Sequence, residues 1–449
     1  MKTRRSTRTL RRNFQRCIAA GVAVFLAAGA WSVAQEPVTA QAMRLARDAV
    51  KAAEAQDTAT YLAKMEEAVA LRPDFPRMLV NLAAAQVVAE KPDEALATLG
   101  KLAALGLSSP IDRAPEFAPL KGRKEFTEIV KKIVSNGHPQ GKGDTAFSLR
   151  DVIGLIEGIA WRAKTGDFYF GDVNGRAVWV KKKDNTLRRL TPEGDELLGV
   201  FGLAIDEDSG TLWAATAAVA AMRDFTHDQD GTTALAEIDL ETGAVRRTIP
   251  VVRRAGDQQS HVLGDLALAP DGSVLATDSG GPTIWRLPAG GQALAPAVES
   301  NEFMSLQGIV VLSSGALIVA DHANGLLHVD LGRRSVTRLD SPPNTSLIGL
   351  DGLTLAPTGE IFAIQNGVRP NRVLRIKLDA AEEGVESVTV VEAGHLTMAA
   401  PSLGCMGTGG DFFFIGNAGW TRFENTEGKP STPRSVPIFK IAAGAKGKK

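Results

Sequence analysis

Residues 264–287 read GDLALAPDGSVLATDSGGPTIWRL, and they contain the unit from which most of the chain is built. An apolar run enters, a Pro-Asp-Gly turn follows, a second apolar run ends on Thr277 and Asp278, and a third run closes the unit. The same order recurs in EGIAWRAKTGDFYFGD, FGLAIDEDSGTLWAAT, QGIVVLSSGALIVADHANGLLHVDL, DGLTLAPTGEIFAIQNGVRPNRVLRIKL and GCMGTGGDFFFIGNAGW. A glycine marks each entry run, at 158, 202, 264, 308, 352 and 404, so the units are spaced by 44, 62, 44, 44 and 52 residues. Such lengths suit sheets of about four strands each. Radial repetition protects sheet edges, so the expected fold is a closed six-bladed β-propeller over residues 150–440. The long second spacing leaves AAMRDFTHDQDGTTAL, residues 220–235, to project as a loop. Its DQDG lacks the third acid and the distant Glu of a calcium loop and reads as a solvated turn.

Ahead of the repeats the period becomes helical. Residues 40–134 alternate Ala- and Leu-rich amphipathic runs with short breaks. Laying MEEAVAL on TLGKLAAL aligns Leu71 with Leu105, a shift of 34 residues, which is the period of tetratricopeptide helix pairs. LVNLAAAQ and PDEAL resemble the first and second helices of that family, with Ala83, Ala84 and Ala95 where two helices approach. The whole reads as an α + β multidomain chain: tetratricopeptide-like helices at 40–134, a linker at 135–149 containing SNGHPQGKGDT, then the propeller. A plain helical bundle without a peptide groove is the other reading, because two repeats build little concave surface.

Seven basic residues and no acidic ones precede residue 17, followed by the 15-residue apolar run CIAAGVAVFLAAGAW and the small residues Ser32 and Ala34. That run is shorter than the roughly 20 residues a bilayer requires, so residues 1–34 read as a cleavable signal peptide. LRRNFQR resembles a twin-arginine export signal; the general secretory route and an uncleaved anchor are the alternatives. Cleavage leaves 51 acidic against 44 basic residues, an acidic protein with no expected nucleic-acid partner. It also leaves Cys405 without a second cysteine. The expected location is periplasmic or secreted, with no stable membrane insertion after cleavage. Residues 441–449, ending in GAKGKK, read as a basic tail. No Gly-x-Ser-x-Gly, His-Glu-x-x-His or Cys-x-x-Cys-His motif occurs.

In a propeller the first strand of each blade lines the central channel, so Glu157, in LIEGIAW, faces the axis. The blade pattern and IEGIAWRAKTGDFYFGD resemble the senescence marker protein/gluconolactonase family of six-bladed propellers and, more distantly, strictosidine-synthase-like and paraoxonase-like proteins. The resemblance covers roughly residues 150–440. It implies an axial divalent cation, calcium in the first instance, and the opening of lactones or related esters. It puts Glu157 on the family's Glu, Asp351 of LDGLTLAP on its Asp, and Gln307 of SLQGIVV on its Asn.

Where the family often has a second Asn, this chain has Gly264 followed by Asp265, which strand alternation turns to the opposite face unless a bulge intervenes. The implied metal set is therefore Glu157, Gln307 and Asp351. Asp351 positions or deprotonates a water, and His261, in DQQSHVLGD, is either a second base at the mouth or a loop histidine with a structural hydrogen bond. A Glu157–Asp351 pair satisfied by amides or water, without metal, is the competing reading of the axis. Asp321, His322 and Asn324, in VADHANGLL, read as turn residues at the mouth.

Two functions follow. One is an exported metal-dependent lactonase or esterase-like hydrolase whose helical repeats dock a protein partner. The other is a non-catalytic periplasmic binding or scaffold protein. A quinone-dependent dehydrogenase is disfavoured by the blade count and the missing recurrent tryptophan signature.

Overall fold

The computed structural model describes residues 36–444 except 142, 153, 195–196, 255, 257–258 and 424–433. The expected signal peptide at 1–34 and the end of the basic tail, 445–449, lie outside the described residues.

Among the described residues five α-helices come first: α1 (Val38–Glu54), α2 (Thr58–Leu71), α3 (Pro76–Val88), α4 (Pro92–Ala104) and α5 (Lys124–Asn136). Proline opens α3 and α4, where a missing N–H costs no helical bond. Asp57 caps α2 by accepting from the Thr60 amide at 3.1 Å. Each helix packs on the next, with Ala42, Ala49, Ala68, Ala83, Ala85 and Ala95 fully buried between them.

The propeller follows the repeat. Six antiparallel sheets have as inner strands Ile156–Arg162, Gly199–Asp206, Leu263–Leu268, Leu306–Val311, Leu350–Leu355 and Gly404–Met406. Each inner strand neighbours the next, and the last neighbours the first. Residues 218–232, most of the expected projecting loop, join the second and third strands of the second blade.

The sixth blade closes the ring with strand Asp144–Val152, which pairs antiparallel to Arg434–Ile441. That strand begins inside the stretch expected to be linker, and Gln140–Gly141 adds an edge to the fifth blade beside Glu392 and Ala393. A nine-residue run whose partner lies almost 300 residues away carries no local sign of its pairing. Aromatic rings seal both sides of the closing blade. Phe362, Phe412, Phe414 and Phe439 follow one another at 4.7, 5.6 and 5.2 Å toward the fifth blade. Phe147, Phe168 and Phe413 meet at 5.2 and 5.0 Å toward the first.

The axis imposes a local rule. Five inner strands carry a bulge at the same place, just after Ile156, Val200, Leu263, Leu306 and Leu350. A bulge leaves a residue unpaired and re-aims its side chain, here toward the channel. The bulged residues are Glu157, Phe201, Gly264, Gln307 and Asp351, followed by Gly158, Gly202, Asp265, Gly308 and Gly352. Four of those five successors are glycine because neighbouring inner strands touch there: a Cβ on Gly158 would collide with the Phe201 carbonyl oxygen, and one on Gly308 with the Asp351 carbonyl oxygen.

The third blade is the exception. Aligning units on their glycines equated Gly264 with this position, but the structure puts Gly264 at the bulge and Asp265 at the glycine position. The bulge that Asp265 needed in order to reach the axis is present.

Gly158→Ala should therefore destabilise the fold by about 1–3 kcal/mol through overpacking. Gly100→Ala in α4, where no atom lies within 4 Å of the new methyl, should stabilise it by up to about 1 kcal/mol. Urea midpoints of the two variants would settle the point; equal shifts would contradict the close approach.

Candidate functional site

At the end of the channel where the inner strands begin, a cavity of about 380 Å³ is lined by Glu157, Asp265, Gln307 and Asp351 together with Phe201, Leu403 and Trp420. A second cavity of about 430 Å³ lies further along the inner strands, and Asp265 and Leu403 line both. The bulges thus bring three carboxylates and one amide from four blades into one space.

Two more rings of residues complete the mouth. The residue after the second strand of blades three, four and five contributes Ser279, His322 and Asn366. Trp420, in a short turn after the sixth blade's second strand, donates from Nε1 to Glu157 Oε2 at 2.8 Å and lies 6.1 Å from the Phe201 ring. Asn366 donates to Asp351 Oδ2 and, at 2.9 Å, to the Pro401 carbonyl. Gln307 donates to Ser305 Oγ at 3.3 Å.

Among the described residues no Lys or Arg lines this cavity, and the acids respond. Burial pushes Glu157 well above the usual carboxylate range, and the charges of Asp351 and Asp265 push it further, against the Trp420 hydrogen bond. Burial, backed by Asp351, pushes Asp265 up to about 7 in spite of backbone bonds from Leu266 and Ile309. Burial also raises Asp351, while His322 and Asn366 favour its ionised form.

The donors are hard oxygens carrying negative charge that, among the described residues, no lysine or arginine in the cavity offsets, which fits a hard divalent cation. Among the described residues no three His, Cys, Asp or Glu side chains group closely enough to hold a metal by themselves. A cation here would rest on two carboxylates completed by amide and water oxygens.

Glu157, Gln307 and Asp351 are thus brought together, and Asp265 joins them. His261 is not: it is 4% exposed and absent from the cavity wall. Its Nδ1 sits 2.5 Å from Asp278 Oδ2, which also accepts from Trp285 Nε1 at 3.1 Å. Asp278 ties this cluster to the backbone amides of Val262 and Gly280, so His261 occupies the structural-hydrogen-bond alternative. Asp172 and Trp179 repeat the arrangement in the first blade. Asp321 is a turn residue as expected, accepting from the amides of Met304, Ser305, Ala323 and Asn324.

His322, Asn366 and Trp420 were not singled out as site residues from sequence. The repeat carried a signal for the first two, since both directly follow the polar residue ending a second strand.

No family model matches the sequence, and no curated protein matches it. Among solved structures, a luciferin-regenerating enzyme is similar with a TM-score of 0.46 at 14% identity, over 69% of this chain and 98% of that one. A gluconolactonase from Xanthomonas campestris gives 0.44 at 16%, over 67% and 94%. Virginiamycin B lyase from Staphylococcus aureus gives 0.41 at 16%, over 61% and 81%. Their names denote different activities, so the fold does not choose among them.

Asp265 has a folded pKa near 7 against an ordinary value of 3.8. A raised carboxylate contributes stability that is complete below about 4 and lost as pH rises through 7. Relative to wild type, metal-free Asp265→Asn should therefore gain stability from pH 4 to 8, at a limiting slope of about 1.4 kcal/mol per pH unit. Urea unfolding in chelator across that range tests it; a difference independent of pH would refute the burial of this charge.

Proposed function

We propose that this protein is a metal-dependent hydrolase of lactones or related esters, working at the channel mouth. The observation that carries the reading is the gathering of Glu157, Asp265 and Asp351 in one cavity that, among the described residues, no lysine or arginine lines. Two of those acids are the ones the family resemblance implies as ligands. Glu157, Asp351 and the amide oxygen of Gln307 would hold the cation, calcium in the first instance. When bound, such an ion supplies Lewis-acid polarisation of a carbonyl.

The chain's own groups do the rest. Trp420 Nε1–H fixes the Glu157 carboxylate, and Phe201, Leu403 and the Trp420 ring offer apolar walls to the carbon skeleton of a substrate. Asp351 takes a proton from a water attacking the ester carbon and returns it to the departing alkoxide. In a lactone that alkoxide stays tethered as the hydroxyl of the hydroxy acid, so water is the only co-reactant. His322 and Asn366 favour the ionised form of Asp351, against the burial that raises it. His322 therefore takes the place at the mouth for which His261 was the sequence candidate.

The reading includes export to the periplasm or medium, from the signal-like residues 1–34, and a protein partner on the helical region. Among the described residues no helix is long and apolar enough to cross a membrane. The rival reading, a non-catalytic binding or scaffold propeller, is favoured by Gly264, which leaves one bulge position without a donor.

Elemental mass spectrometry of the purified protein should find a divalent ion near one per chain, lost in a Glu157→Gln/Asp351→Asn double variant. Calcium should raise the melting temperature of wild type and leave the double variant unmoved. Asp351→Asn alone should cut kcat/KM on a responsive lactone by about 10²–10⁴ while the protein stays folded. A metal-free wild type whose melting ignores calcium would sink the hydrolase and leave the binding protein.

A further inference from the structure

In blades one, three and five, the residue ending the second strand bonds a side chain seven positions later in the third strand. Trp179 Nε1 donates to Asp172 at 3.1 Å, Trp285 Nε1 to Asp278 at 3.1 Å, and Arg372 Nε to Gln365 at 2.6 Å. These pairs brace the turn at the mouth from within the blade. Blade four departs from the rule: the residue seven after Asp321 is His328, and no bond between the two is present among the described residues.

Its turn is braced from outside. Asn324, 1% exposed, accepts at Oδ1 from Thr39 of α1 at 2.5 Å and from Arg72 Nη1 at 3.3 Å. Its backbone carbonyl accepts from Arg72 Nη2 at 3.4 Å, and its side-chain Nδ2 donates to the Glu302 carbonyl at 3.0 Å. Arg72, at the end of α2, is also 1% exposed and is held in a fork by Asp74 at 2.9 and 3.1 Å. Asp74 in turn accepts from Ser341 at 2.8 Å. A guanidinium so completely buried must be this fully bonded.

Two residues before Asn324, in the same turn, stands His322, which lines the cavity. Its imidazole Nε2 lies where a Cβ on Gly367 would clash, so the ring rests against the next blade's turn, the one presenting Asn366 to Asp351. The helical region braces that second turn as well. The Ser108 amide donates to the Arg369 carbonyl at 2.7 Å, Arg372 donates to the Leu105 carbonyl at 3.2 Å, and Val368 belongs to the helical core.

We infer that Arg72 is a positioning residue for the cavity: by fixing Asn324 it sets His322 beside Asp351, and the helical region thereby supports the site from behind its wall. The inference rests on the reading of the mouth as the reactive centre, yet its placement of His322 can be tested apart from any activity.

The experiment compares wild type with Arg72→Met, which keeps the buried stem and removes the guanidinium, and with Arg72→Lys and Ser341→Ala. The chain has six histidines, so the imidazole Cε1–H NMR signal of His322 can be assigned with His322→Gln. Arg72→Met should move the His322 signal and leave that of His261, in the third blade, in place. It should also lower kcat on a responsive lactone about tenfold with KM changed less than threefold; Arg72→Lys should recover part of both effects. Ser341→Ala should shift His322 in the same direction by less, and it decides the matter if Arg72→Met does not fold. An unmoved His322 signal in folded Arg72→Met, or in Ser341→Ala should the first fail to fold, would overturn the inference. Wild type lacking both cation binding and hydrolysis would overturn the functional reading alone, since the His322 signal would still report the brace.

Discussion

Six strands converging on one axis leave no room for side chains where they touch, and the rest of the structure follows from that constraint. Gly158, Gly202, Gly308 and Gly352 yield the space to a neighbouring strand's backbone or to Asp265. The bulge just before each of them turns one residue per blade into the channel. What the protein can do at its mouth is decided by which residue each blade places there. Here they are a glutamate, a phenylalanine, a glycine, a glutamine and an aspartate from the five bulged blades.

The third blade shows how the constraint and the chemistry trade. With Gly264 at the bulge and Asp265 at the position glycine fills elsewhere, the blade gives up an outward axial side chain and gains a buried one. Asp265 Oδ1 lies where a Cβ on Gly202 would sit, and its other oxygen accepts from the Ile309 amide at 3.4 Å. One carboxylate thus spans three blades at the waist between two cavities. Its burial beside two other acids makes the axis a place where negative charge is costly until something positive arrives.

The helical region belongs to this arrangement. Pro37–Lys449 form one compact unit, and the junction is polar and buried, made by Arg72, Asn324 and Arg372 with backbone carbonyls. Buried polar contacts of this kind specify one arrangement rather than many. The mouth of the channel is accordingly asymmetric, with blades four and five backed by helices.

The repeat was legible because it is local: turn residues, alternation and glycine spacing lie within a few residues of one another, and they determined six blades, a helical preface and the axial place of Glu157, while Asp351 came from the family resemblance. The same locality misplaced Gly264, because a one-residue bulge shifts register without changing composition. It hid strand Asp144–Val152, whose partner is at the other end of the chain. Tertiary structure alone decided that His261 binds Asp278 instead of facing the mouth, and that His322, Asn366 and Trp420 gather around Asp351 and Glu157. Those choices depend on which blades the closed ring makes neighbours, and closure is a property of the whole chain that no short stretch of it carries.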